Sequence, residues 1–324
     1  MPTITRRQLL RSAAGSSALL SLAAAGPDGV AELLAAGWPQ VADPIAERRA
    51  QIGAAPIVTT RLSDNLSMLS GPGGNVVVLN GPDGKLVVDS FVQPAWPALR
   101  TVLDAMGRSP VKLVIDTHWH FDHTDNNQQF RKTGAAILAQ VNTKKRMSQT
   151  HDVLGMRFTP SPAAALPSQA LGDLHKQRMN GERIEAGRIP PAHTDTDAYV
   201  LVTRANAMPM GDVFFHGVYP FIDAATGGSI NGQIAGATLG LKLADNATKI
   251  VPGHGAVADK AALTAYRDML VTVRDRVQKL KAGGRSLAEV TAAKPTADLD
   301  ATWGTGFMAP DDFVAIVYNT LKLK

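Results

Sequence analysis

The sequence predicts a layered α/β fold, and three observations carry that prediction. Short apolar runs alternate with segments of helical spacing. Gly-Pro turn signals separate the first of these runs. A loop dense in histidine and aspartate then follows directly on a strand-like segment. A chain of 324 residues, 45% hydrophobic and 19% charged, is long enough to bury a core of ordinary size as one large domain with appendages.

The elements follow in order. Leu66 to Leu69, Asn75 to Leu79 and Lys85 to Val88 read as strands of a meander, because Gly71-Pro72-Gly73-Gly74 and Gly81-Pro82-Asp83-Gly84 break the chain between them. Trp96 to Met106 has helical spacing, with Pro97 early, where proline is tolerated. Val111 to Asp116 is the next strand. A helix over Asp125 to Lys132, a strand over Ala135 to Ala139 and a helix over Val141 to Gln149 continue the alternation. Residues 150–190 interrupt it: Pro160, Pro162 and Pro167 stand in a mixed polar stretch, read as an insertion beside the mouth of the site. Lys260 to Ala282 is a long helix whose Arg267, Arg274, Arg276 and Lys279 form a solvated face. Phe313, Val314, Ile316, Val317 and Leu321 give a last amphipathic helix that packs on the core.

His118-Trp119-His120-Phe121-Asp122-His123 places four metal-ligand candidates in six residues, just after the strand ending at Asp116. The whole chain has 8 histidines, so a cluster of this density is not incidental. Imidazole and carboxylate together suit zinc or a similar divalent ion, and three protein ligands with an open position make such an ion catalytic. Further candidates sit in turn-like settings near apolar runs: His193 after Pro190-Pro191-Ala192, Asp212 in Met210-Gly211-Asp212, and His254 in Val251-Pro252-Gly253-His254-Gly255. Loops at strand ends are where a rigid scaffold presents chemistry. His151, His175 and His216 lack any such setting and read as structural.

The order H-x-H-x-D-H, His, Asp, His closely resembles the metallo-β-lactamase-fold hydrolase superfamily, over roughly Leu62 to Lys281. The resemblance implies an αββα sandwich with the site at one edge between two sheets. It puts His118, His120 and His193 on one metal, and Asp122, His123 and His254 on a second, with Asp212 bridging both. It further implies two zinc ions per chain, with iron or manganese as alternatives, and a bridging hydroxide that attacks an ester, thioester, lactone or amide carbonyl. Asp122 is then the catalytic residue that orients the nucleophile; Asp116, just before the motif, either supports the site from behind or caps the loop as a strand-end acid. Where the lactamases proper carry Cys, or Ser with an added His, this chain has Asp212. It has no cysteine at all, which excludes the Cys-ligand subclasses. Asp here is more similar to the glyoxalase II, lactonase and RNA-processing branches, although β-lactamase activity stays open. A mononuclear iron persulfide dioxygenase, using the equivalents of His118, His193 and Asp212, is a second alternative.

Thr5-Arg6-Arg7-Gln8-Leu9-Leu10-Arg11, followed by the small apolar stretch Ser12 to Ala25, resembles a twin-arginine export signal. Residues 1–25 are therefore expected to be removed, 26–60 to form an extension, 61–282 the catalytic domain and 283–324 a helical extension, in a periplasmic or secreted protein without stable membrane insertion. Absence of cysteine agrees with an oxidising compartment, since no disulfide is needed. The formal charge of +5 derives from 33 basic and 28 acidic residues; removing Arg6, Arg7 and Arg11 with the signal leaves 30 against 28. A near-neutral protein gives no electrostatic case for nucleic acid, so the expected partner is a small-molecule substrate.

Overall fold

The computed structural model describes residues 44–322; the export segment expected at residues 1–25 lies outside them. A helix, α1 (Pro44–Gly53), leads into strands β1 (Val58–Arg61), β2 (Leu66–Ser70), β3 (Val76–Leu79) and β4 (Lys85–Val88). Helix α2 (Trp96–Ala105) precedes β5 (Val111–Asp116); the short α3 (Phe121–Thr124) and α4 (Asn127–Lys132) precede β6 (Ala136–Gln140); α5 (Val141–Met147) follows. Next come β7 (His151–Val153), β8 (Met156–Phe158), β9 (Gln169–Leu171), β10 (Leu174–Met179), β11 (Glu182–Arg188), β12 (Ala198–Val202) and β13 (Ala207–Pro209). The chain ends with α6 (Ile230–Leu243), β14 (Lys249–Val251), α7 (Lys260–Ala282), α8 (Leu287–Ala292), α9 (Asp300–Trp303) and α10 (Pro310–Thr320).

These strands form a 7-stranded sheet ordered β1-β2-β3-β4-β5-β6-β9, a 5-stranded sheet ordered β10-β11-β12-β13-β14, and the β7–β8 hairpin. Strand alternation shows how the layers stack, because successive side chains point to opposite faces. Val77, Leu79, Leu113 and Ile115 of the first sheet meet Ile184, Val200, Val202 and Val251 of the second in one buried cluster. Their neighbours Val76, Val78, Val114 and Ile137 face the other way, against Leu99, Leu103 and Phe130 of the first helical layer. On the far side Met208 and Ile250 pack with Leu263, Tyr266, Leu270 and Val273 of α7 and with Phe313, Val314 and Val317 of α10. Both faces of each sheet are thus covered, which is why β3 reads VVVL without a polar residue. The layers run helix, sheet, sheet, helix, as the sequence predicts, and α10 packs on the core as expected.

One expectation is corrected. Residues 150–190 are not an irregular insertion. Only the β7–β8 hairpin and the turn after it stand outside the sheets; β9 extends the first sheet in parallel with β6, while β10 and β11 begin the second. Strand β10, Leu174-His175-Lys176-Gln177-Arg178-Met179, is a sheet edge with mostly exposed or half-exposed side chains, and charged edges discourage pairing with other chains. That polarity hid it.

The sheets are tied to one another where the site lies. The Asn75 backbone N–H donates to Gly253 O (2.7 Å), and its Nδ2 donates to Pro252 O and Gly255 O (2.9 Å each). The Ala198 N–H likewise donates to Thr117 O across 2.8 Å.

Candidate metal centre

Each candidate side chain leaves a strand end at the same edge of the sandwich. The turn after β5 carries His118, His120, Asp122 and His123; the β11–β12 connection carries His193; Asp212 follows β13 and His254 follows β14. The structure brings all seven together in two groups, His118/His120/His193/Asp212 and Asp122/His123/His254, in each of which the donor atoms lie within 4.8 Å of one another. His151, His175 and His216 stay outside: they face Arg146 O, Gln177 and Ala256 O.

Asp212 stands between the groups and divides its oxygens between them. Its Oδ2 is 3.8 Å from His118 Nε2 and 3.6 Å from His193 Nε2. Its Oδ1 is 3.2 Å from His123 Nε2 and 3.5 Å from His254 Nε2. Asp122 Oδ2 faces the second group, 3.3 Å from His254 Nε2 and 3.7 Å from His123 Nε2. The packing allows no extra atom here: a Cβ on Gly253 would sit 1.9 Å from Asp212 Oδ1, and one on Gly74 would sit 2.1 Å from the His123 ring.

In four of the five rings the far nitrogen is held from behind. His123 Nδ1 lies 2.8 Å from Asp89 Oδ2, and the Thr117 hydroxyl donates to that same oxygen while lying 3.2 Å from His118 Nδ1. His193 Nδ1 is 2.9 Å from Phe221 O, and His120 Nε2 is 3.1 Å from Asp223 Oδ2. A carbonyl or carboxylate can only accept, and the Thr117 hydroxyl gives its one proton to Asp89, so these four nitrogens carry a proton and the opposite ones are the atoms that can offer lone pairs to a cation. Asp223 is itself fixed by Thr226 Oγ1 (2.6 Å), which also accepts from Trp119 Nε1.

Two acids that act here are absent from the sequence reading. Asp89 closes β4 with φ 63, and Asp223 is 103 residues from its imidazole partner. An acid ending an apolar strand is the only local signal for Asp89, and Asp223 has none. Asp116, read as a support for the site or a loop cap, is fully buried but accepts from Asn127 Nδ2 (2.8 Å), and none of the seven bonds to it.

The electrostatics are those of a cation site. Burial lowers the pKa of His118 well below the ordinary imidazole value, helped by nearby His123. Burial likewise takes His193 down to about 4, against the pull of Asp212. For Asp122 burial works upward, but His123 and His254 outweigh it and hold the carboxyl at about 2. Asp212 behaves in the same way, held well below its ordinary value by His254, His123 and His118. Burial opposes charge on His123 and His254 too; Asp212 and Asp122 prevail, raising His123 well above the usual range and His254 to about 9. Without a metal, two imidazoliums thus neutralise the acids, and cation binding releases such protons.

The donor set fits a divalent ion. His118 Nε2, His123 Nε2 and Asp212 Oδ1 are buried without any hydrogen-bond partner, and buried polar atoms left so are rare. His193 Nε2 and His120 Nδ1 aim lone pairs at each other across 2.9 Å, an arrangement that calls for a shared cation.

Comparison with known proteins bears on the fold and the family. No curated protein matches the chain. Among solved structures, a metallo-beta-lactamase from Pontibacter korlensis is similar with a TM-score of 0.54 at 14% identity, covering 66% of this chain and 98% of that one. The DIM-1 metallo-beta-lactamase gives 0.54 at 16%, covering 67% and 98%. The stereoselective inverting sec-alkylsulfatase Pisa1 from Pseudomonas sp. gives 0.62 at 16%; the match covers 82% of this chain but 50% of that protein. These likenesses establish the αββα fold. The sequence profile of the metallo-beta-lactamase superfamily matches residues 69–254, more than half of the chain and from β2 to the last histidine of the cluster, so the chain belongs to that superfamily.

Proposed function

We propose that this metal-dependent hydrolase holds two divalent ions, zinc foremost, and cleaves an ester, thioester, lactone or amide carbonyl. The single observation that carries the reading is the division of Asp212, with one oxygen toward each ligand group. His118, His120 and His193 would hold one ion; Asp122, His123 and His254 the other. When bound, such ions polarise a carbonyl and bring the pKa of a coordinated water down to about 7.

The chain's own residues do the rest. Asp89, Thr117, Phe221 O and Asp223 fix four of the rings, so these are oriented toward the site before any ion arrives. Asp122 lines the cavity beside His254, where its carboxylate can accept a hydrogen bond from the attacking water and orient it. The water oxygen adds to the carbonyl carbon, the bond to the leaving oxygen, sulfur or nitrogen breaks, and the proton released from water ends on that leaving atom. Phe121, Phe158 and Phe221 give the cavity an apolar wall beside the reacting centre.

The second ligand group is complete, which weighs against the mononuclear iron alternative. β-Lactam cleavage remains within the proposed chemistry. Elemental analysis combined with a panel of lactones, thioesters, β-lactams and, because Pisa1 is a sec-alkylsulfatase, alkyl sulfates tests the reading. About two metal ions per chain and turnover of a carbonyl substrate are expected; one ion per chain after zinc supplementation, or no cleavage across the panel, would overturn it.

Export is proposed with it, on Arg6 and Arg7 ahead of an apolar stretch. A receptor reads the arginine pair rather than its charge, so the Arg6→Lys/Arg7→Lys variant should remain in the cytoplasm as precursor. Fractionation showing normal export of that variant would refute the signal.

A further inference from the structure

The cavity that contains His120, Asp122, Asp212 and His254 has a volume of ≈ 310 Å³, and most of its remaining wall is apolar. Ile52 from α1, Val153, Met156 and Phe158 from the β7–β8 hairpin, and Phe221 line it. Among the described residues, Arg48 is the one basic group other than histidine on this wall.

Two further wall residues are unfavourable for the free protein. Leu154, at the hairpin tip, has φ 52 and is 53% exposed. Asn and Asp adopt that left-handed backbone far more readily than Leu, and a water-facing Leu gains little from folding. Phe307, on the chain between α9 and α10, is 55% exposed. Single exposed apolar residues are ordinary on any protein; here both converge on the cavity that contains four of the seven candidate metal ligands. Arg48 is exposed and forms no ion pair among the described residues, while the adjacent Arg49 is bound to Asp125. An unpaired guanidinium beside an apolar wall suits a ligand that is hydrophobic along its length and anionic at one group.

We propose that the site takes a single-chain anionic amphiphile, with its alkyl chain covering Leu154, Phe307 and the hairpin wall and its anionic group paired with Arg48. The proposal rests on the hydrolase reading above and names its substrate class. Costs borne at Leu154 and Phe307 are relieved when the chain covers them, because removing apolar surface from water is favourable in proportion to the area.

Binding separates this inference from turnover. Full-length protein, treated with a chelator so that no metal can hold a carboxylate, is titrated calorimetrically with butyrate, hexanoate, octanoate, decanoate, decanol and decyltrimethylammonium below their micelle-forming concentrations. Affinity should rise roughly fourfold per added methylene along the carboxylate series. Decanoate should bind roughly fivefold tighter than decanol, decyltrimethylammonium weakest, and Arg48→Gln should abolish the difference between decanoate and decanol. Leu154→Asn, which suits the turn's backbone, should leave circular dichroism and butyrate binding unchanged while weakening decanoate roughly fivefold. Affinity independent of chain length, equal binding of decanoate and decanol by the unmodified protein, or decanoate binding untouched by Leu154→Asn would each overturn the proposal. Those failures leave the hydrolase reading standing, because no turnover is read; decanoate binding by a protein that cleaves nothing in the panel would sink the hydrolase reading alone.

Discussion

Asp212 is the residue on which the dinuclear reading turns. A carboxylate between two cations offsets their repulsion and sets their spacing. Asp212→Ala should lose the ion held by Asp122, His123 and His254 first and lower turnover on the order of a hundredfold or more, beyond the roughly 10–100-fold typical of residues behind the ligands. Asp212→Cys should do less harm, since a thiolate is a zinc ligand. Folding should survive both, because the side chain contributes to no apolar cluster; zinc content, circular dichroism and turnover decide it. Two zincs and near-normal turnover in Asp212→Ala would end the bridging role. All seven candidates were legible because a dense H-x-H-x-D-H run supplies a frame on which lone His and Asp residues can be hung. Asp89 and Asp223 were not: an acid that meets an imidazole only through tertiary structure leaves no pattern in the chain.

At the scale of elements, α1 is attached to the metal loop through one ion pair. Arg49 Nε and Nη2 donate to Asp125 Oδ2 and Oδ1 at 2.6 and 2.9 Å, and the guanidinium lies 5.4 Å from the Phe121 ring centre. Asp125 is largely buried, and burial raises its pKa despite Arg49, so the arginine compensates a charge that is costly to keep. With Arg49 partly exposed, Arg49→Met should destabilise the protein by about 2 kcal/mol, between the values for surface and buried pairs. Chemical denaturation measures this, and a change within a few tenths of a kcal/mol would show the pair to be incidental. The core strands were readable from their apolar runs and glycine turns. Strands β7 to β11 were not, since their residues are short runs or half-exposed edges whose pairing is decided by the neighbouring strand rather than by their own composition.

For the whole molecule, the alternation of apolar runs made the layers legible, and the metal motif then located the edge that matters. What no local pattern conveys is how the ligands are shared between layers: those on the turn after β5 belong to one sheet, and His193, Asp212 and His254 to the other. Beside them Asn75 spans the same seam with three hydrogen bonds to the Gly253 loop. Metal bound across such a seam works as a keystone. With it in place, the sheets can part at this edge only after the ion leaves, so the amide protons of Asn75 and Gly253 should exchange as slowly as those of the central strands. Chelation should let that edge breathe by itself, speeding exchange there while β3 and β5 stay protected. Hydrogen exchange read by mass spectrometry, with and without zinc, would show this as a change confined to the seam; uniform protection in both states would mean that Asn75 and the apolar layers hold the halves together without the ions.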